Sequence, residues 1–215
     1  MVEMFKEKDI EINASNVVLP AKLYISTESS DLSCLVTLSY GLGGNMAWLE
    51  QKAMDICNSG NIVLLFDFRG HGETDGIANE EIINDLQAVV EYAKNLYKDV
   101  PIILGGQCMG GLFSLHEAVK DDRVIGVIGM SITPEWVVTA QIWEIVIRNM
   151  EDMKGGHKVK VDKDSLYKVF RDRDVRQSLK ALKRKSLLLI HYEKDEISSV
   201  ENAWTIFQEA ACEKT

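Results

Sequence analysis

The feature that most limits how this chain can fold is an alternation of short apolar runs with longer amphipathic stripes. Residues 61–68 contain the unbroken apolar run from Ile62 to Phe66, as expected of a strand buried on both faces. Residues 16–26, 34–40, 101–104, 124–130 and 186–191 read as further strands. Between them, Leu49, Ala53, Ile56 and Cys57 recur at helical spacing, and Gly60 ends that helix. Ile82, Ile83, Leu86, Val89, Val90, Ala93 and Leu96 make the clearest stripe, and residues 110–119 read as another helix. After the strand at 186–191, Ser198 and Glu201 suggest a capping box, with Val200, Ala203, Trp204 and Phe207 facing inward. Strands and helices alternating at these lengths predict an α/β fold, a doubly wound and mostly parallel sheet.

Residues 134–184 interrupt this rhythm. Residues 136–150 are unusually apolar, Gly155-Gly156 reads as a turn or hinge, and residues 171–185 carry the charge of a solvated helix face. The apolar part is a candidate substrate wall or dimer contact. The expected division is a core of residues 1–133 and 185–215 with a small helical cap inserted at 134–184.

Composition narrows the partners. The net charge is -9, which argues against broad nucleic-acid binding because phosphate contacts need a basic footprint. No apolar run approaches the roughly 20 residues that span a bilayer. Charges at Glu3, Lys6, Glu7 and Lys8 fall where a signal peptide has its apolar stretch. Cys34, Cys57, Cys108 and Cys212 are scattered, with no CxxC pair, so they read as free thiols in a reducing, cytoplasmic setting. No cluster has metal-ligand spacing, and neither a metal nor a cofactor is implied.

The chemistry concentrates at strand ends. Gly106-Gln107-Cys108-Met109-Gly110-Gly111 lies between an apolar strand and a helix. Small residues on either side of Cys108 suit a sharp strand-to-helix turn that presents a nucleophile. Such a turn puts Cys108 at a helix N-terminus, where the dipole favours an anion and is expected to lower the thiol pKa. The Met109 N–H would point at the same place and supply half of an oxyanion hole. Tyr40-Gly41-Leu42-Gly43-Gly44 follows an earlier strand, and a turn there would aim the Leu42 N–H at the same oxyanion. It lacks the G-x-G-x-x-G spacing of a dinucleotide loop.

A third cluster, Asp67-Phe68-Arg69-Gly70-His71-Gly72-Glu73-Thr74-Asp75-Gly76, follows the strand at 61–68. The order of these three clusters, with His191-Tyr192-Glu193-Lys194-Asp195-Glu196 after them, resembles the α/β-hydrolase superfamily, its esterase, lipase and thioesterase-like members above all. The resemblance implies that Cys108 is the nucleophile where serine is usual, as in dienelactone hydrolases. It implies Leu42 and Met109 as oxyanion donors and Asp195 as the acid, with Glu193, Glu196 and Glu135 as alternatives. It makes His71 a loop histidine and His191 non-catalytic. The substrate expected is a small-molecule ester, lactone or thioester.

In that superfamily the catalytic histidine follows the acid. No histidine follows Asp195 here. His116 sits in the helix after Cys108, and His157 lies in the cap beside Gly155-Gly156, from where it could reach the site. Three readings follow. The active protein extends beyond Thr215 and carries its histidine there; or Cys108 acts without a base, accepting an acyl group and releasing it slowly; or the fold serves binding alone. A sheet cut short would leave an edge strand open, which favours a homodimer.

Overall fold

The computed structural model describes residues 5–27, 33–152 and 159–215. Two strands, β1 (Phe5–Ala14) and β2 (Val17–Ser26), form an antiparallel hairpin from Phe5↔Ser26 to Ala14↔Val17. Next come β3 (Leu35–Ser39), a 3-10 turn (Met46–Leu49), α1 (Glu50–Asn58), β4 (Ile62–Phe66), α2 (Ile82–Leu96), β5 (Ile102–Gln107), α3 (Met109–Ala118) and β6 (Val124–Met130). Three helices follow, α4 (Ala140–Asp152), α5 (Lys163–Arg171) and α6 (Val175–Ala181). The described chain then runs through β7 (Ser186–Ile190), α7 (Val200–Glu209) and β8 (Glu213–Lys214).

The eight strands make one sheet in the order β1-β2-β4-β3-β5-β6-β7-β8. Only β1 with β2 and β2 with β4 run antiparallel; the remaining pairs are parallel. The chain steps from β3 outward to β4, then crosses back to lay β5 on the other side of β3. Strand order therefore reverses between β3 and β5, and ligands of such sheets bind at the carboxyl ends of the strands at this reversal.

Every residue of β3 and β4 is buried, which is why those segments read as unbroken apolar runs. Burying a leucine or phenylalanine this fully contributes about 1.5–3 kcal/mol each. An aromatic column joins the sheet to the helices beyond β6. Phe66 packs on Phe68 (centroids 4.6 Å), Phe68 on Phe113 (6.0 Å), Phe113 on Phe170 (5.9 Å) and Phe170 on Trp143 of α4 (5.7 Å).

The structure departs from the sequence reading in several of its elements, and Leu96, expected in the inward stripe of α2, is 44% exposed. β1 has the sequence FKEKDIEINA and buries only Ile12 and Ala14, so its charges hide the strand pattern; they also protect an edge strand from unwanted pairing. The two-residue β8 is too short to leave a pattern. Ser199, not Ser198, stands at the start of α7, and the Ser198 hydroxyl donates instead to the Ile132 carbonyl at 3.1 Å. Trp204 faces outward, 58% exposed, while Ala203 and Ile206 take the buried positions of α7. Gly155, Gly156 and His157 lie outside the described residues.

Candidate active site

The chain leaves β5 at Gln107 and enters α3 at Met109, so Cys108 alone makes the turn, with φ 50° and ψ -111°. Positive φ in a residue with a side chain is strained and persists only where its surroundings enforce it. Here the Cys108 N–H donates to the Met130 carbonyl of β6 (2.9 Å), and the Gly110 N–H donates to the Tyr40 carbonyl (3.1 Å). The flanking glycines are a packing requirement. A Cβ on Gly106 would lie 2.2 Å from the Gly110 carbonyl carbon, and one on Gly110 would lie 2.4 Å from Ser39 Oγ.

The loop after β3 closes on this turn. Gly44 N–H donates to the Gly41 carbonyl (3.0 Å), and the Gly41 backbone lies so near Cys108 that an added Cβ would sit 3.1 Å from the cysteine Cβ. Leu42 follows directly. The Met109 backbone N–H is hydrogen-bonded to the sulfur. Leu42 and Cys108 border one cavity of about 240 Å³, together with Trp48, Val146, Asn149 and Asp195.

Asp195 reaches the cavity from the loop after β7. Its Oδ1 accepts from the backbone N–H groups of Ile197 and Ser198, both at 2.9 Å. Its Oδ2 lies 3.8 Å from Nε2 of His191, and that nitrogen pairs with the Ser198 carbonyl at 2.6 Å. Glu193 and Glu196 are exposed, and Glu135 is engaged elsewhere, accepting from the Val175 N–H at the start of α6 (3.2 Å). The structure thus brings Cys108, Leu42, Met109 and Asp195 together and leaves the three alternative acids off the cavity wall.

Thr133 was not among the residues singled out from sequence. It stands in the loop after β6, buried, with Oγ1 3.5 Å from Cys108 Sγ. A threonine has no motif of its own. The available signal was positional, since Thr133 follows the carboxyl end of the strand next to β5.

The thiol is not acidified as the helix terminus alone would have it. Burial pushes the Cys108 thiol up; the Thr133 hydroxyl and the Met109 N–H pull it back, and the nearby Asp195 carboxylate adds to the rise. Loss of water around the sulfur outweighs the two donors.

No histidine among the described residues is hydrogen-bonded to the sulfur. His71 is fully buried, Nδ1 against the Arg69 carbonyl at 3.0 Å, and burial pushes its pKa down to about 4. His116 faces α6, Nδ1 against Ser178 Oγ at 2.9 Å, and burial lowers it likewise to about 4.

The Asp67–Gly76 loop is architecture around the site. Arg69 is buried and holds Asp85 of α2 through Nη2–Oδ1 (2.7 Å) and Nε–Oδ1 (3.0 Å), with Glu81 as a further partner of Nη1. Removing one partner of such a buried pair costs about 3–5 kcal/mol. Asp67 accepts from the N–H groups of Met46 (2.7 Å) and Glu73 (3.1 Å), so it fixes the 3-10 turn that carries Trp48 to the cavity wall.

A strained strand-to-helix turn at the switch point of a doubly wound sheet, faced by a glycine loop and by an aspartate from the loop after β7, defines the α/β-hydrolase fold. More narrowly, the chain belongs to the family described as serine aminopeptidase, S33, which it matches over residues 31–183. It is 34% identical over 88 residues to a caffeoylshikimate esterase of Arabidopsis thaliana, covering 37% of this chain and 26% of that protein. It is 30% identical over 104 residues to a mitochondrial palmitoyl-protein thioesterase of Homo sapiens, covering 47% of this chain and 33% of that protein. These matches span well under two thirds of either relative. Among solved structures, Est1E of Butyrivibrio proteoclasticus with ferulic acid bound superposes with a TM-score of 0.73 at 20% identity, over 96% of this chain and 88% of that one. An esterase of Pyrococcus furiosus gives 0.72 at 21% identity, over 98% and 81%.

Proposed function

We propose that this chain is a hydrolase or acyl-transfer enzyme that acts on a small ester, lactone or thioester through Cys108. The observation that carries the reading is the convergence on one cavity of the strained Cys108, Leu42 and Asp195, with the Met109 N–H bonded to the sulfur. The Cys108 thiolate attacks the substrate carbonyl carbon. The oxyanion that forms is held by the N–H groups of Leu42 and Met109. It collapses to a thioester on Cys108 as the carbon–oxygen or carbon–sulfur bond breaks, and the departing alkoxide or thiolate takes a proton from water. Water or another acceptor then takes the acyl group; Asp195 is the acid that would orient a catalytic histidine, and without one the acyl group leaves slowly. A cavity of about 240 Å³ with Leu42, Trp48 and Val146 in its wall suits a short, partly apolar acyl group. The esterase and thioesterase among the relatives support the same bond class.

Val146 and Asn149 belong to α4, so we read the helices between β6 and β7 as the cap that shapes this cavity. The four free cysteines suit a reducing, cytoplasmic location. No helix among the described residues is long and apolar enough to cross a membrane. The exposed Ile190 and Trp204 beside the short β8 are a candidate homodimer contact.

A second reading, a hydrolase fold kept for binding, draws on two observations: the thiol is pushed up, and no described histidine bonds it. Release of p-nitrophenol from p-nitrophenyl acetate decides between them. Continued release that disappears in Cys108→Ala supports the enzyme; equal release from both proteins favours the binding module.

A further inference from the structure

The geometry points to the Thr133 hydroxyl as the side-chain donor that stabilises the Cys108 thiolate for attack. The inference rests on the reading of Cys108 as a nucleophile and adds a residue to that site. Three independent features carry it. First, Oγ1 lies 3.5 Å from Sγ, within reach for a hydrogen bond to sulfur, and no other side chain among the described residues is hydrogen-bonded to that atom. Second, the backbone is strained to put it there. Ser131, two residues earlier, has φ 45°, and its N–H donates to the Ile190 carbonyl of β7 at 2.8 Å. Strained non-glycine residues thus stand at the ends of both β5 and β6, Cys108 and Ser131, and both border the cavity. Strain of this kind collects where side-chain position matters to function. Third, the loop is clamped, because the Ile132 carbonyl accepts from Ser198 Oγ.

Cys108 is half-buried in the cavity wall, so its anion would keep only part of its contact with water. A thiol enclosed by protein ionises only if donors replace the water it has lost. The Met109 N–H is one donor; the Thr133 hydroxyl is the second. The titratable side chains that border the sulfur's cavity are Asp195, whose carboxylate opposes ionisation, and the largely exposed Tyr192, both from the loop after β7. The 3-10 turn, α4 and the loop after β6 present Trp48, Asn149 and Thr133, none of which titrates. When the thiol gives its proton to solvent, the Thr133 O–H turns to donate to the sulfur. The charge-assisted bond then holds the thiolate until it attacks.

The test follows alkylation of Cys108 by iodoacetamide between pH 6 and 10, read by peptide mass spectrometry so that the other three cysteines do not interfere. Sulfur displaces iodide, and only the thiolate reacts at a useful rate. Thr133→Val keeps the shape and removes the donor. It is expected to raise the midpoint of the profile by about one pH unit, making alkylation about tenfold slower below the midpoint. Thr133→Ser should restore the parent profile. Thr133→Ala lacks the donor too and reads the same quantity if valine disturbs the fold. Superimposable profiles for parent, valine and alanine forms would overturn the inference, as would a serine form that behaves like valine. Alkylation needs no ester turnover, so a negative result with p-nitrophenyl acetate counts against the proposed function and leaves this result to stand or fall alone.

Discussion

The hydroxyl of Ser198 donates to the carbonyl of Ile132 across 3.1 Å, and this bond joins the loop that holds Asp195 to the loop that carries Thr133. Ser198 also gives its backbone N–H to Asp195 Oδ1 at 2.9 Å. One fully buried serine therefore sets the spacing between the candidate acid and the neighbour of the candidate nucleophile. Ser198→Ala leaves the Ile132 carbonyl without that donor in a dry environment. We expect a loss of about 1–3 kcal/mol in urea unfolding and a matching loss of order in the loop after β6. Unchanged stability would mean that the bond is incidental.

Asp195 works against thiolate formation even as it serves as the acid of the proposed site, because its charge raises the Cys108 thiol. Asp195→Asn separates the two effects. Cys108 should alkylate faster at neutral pH, by roughly threefold to tenfold, while ester turnover falls. A variant that loses both reactivity and turnover would show that Asp195 matters chiefly for holding the loop.

The buried histidines make stability depend on pH in a defined direction. His71 and His116 are held down at about 4, against an ordinary value of 6.5. Both stay neutral in the folded protein, while the unfolded chain takes up protons below pH 6.5. The stability tied to the neutral rings is thus whole above pH 6.5 and is lost as pH falls towards 4, at about 1.4 kcal/mol per pH unit for each ring. Burial raises the Asp67 and Asp85 carboxyls, which act in the opposite sense. Comparing parent with His116→Gln isolates one imidazole. Urea titrations at pH 7.0, 6.0 and 5.0 should show a shallower decline for the variant, by about one proton's worth of slope, and identical slopes would contradict the assignment.

How much of this was legible beforehand depends on how each element earns its place. Strands β3 and β4 are buried on both faces, so their apolar runs are visible in one dimension. The turn at Cys108 was visible because steric contact at Gly106 and Gly110 forbids side chains there. β1 was hidden because an edge strand needs only two buried residues and can spend the rest on charge. Ser198 looked like a helix cap because serine before a helix usually is one; the Ile132 carbonyl on a distant strand end competed for its hydroxyl. Thr133 was invisible because its role comes from a contact between residues 25 apart in sequence, set by strand order rather than by any local pattern. The thiol shift runs opposite to the sequence expectation for a related reason: the helix terminus can be read from sequence, but the loss of water around the sulfur cannot.

The central claim is that Cys108 takes an acyl group. Intact-mass spectrometry of the 215-residue chain after mixing with p-nitrophenyl acetate tests it directly. The account predicts one acetyl adduct that maps to Cys108 and is absent from Cys108→Ala, with its lifetime reporting how well the site deacylates. No adduct, or equal labelling of the alanine variant, would contradict it and leave the cavity as a binding site.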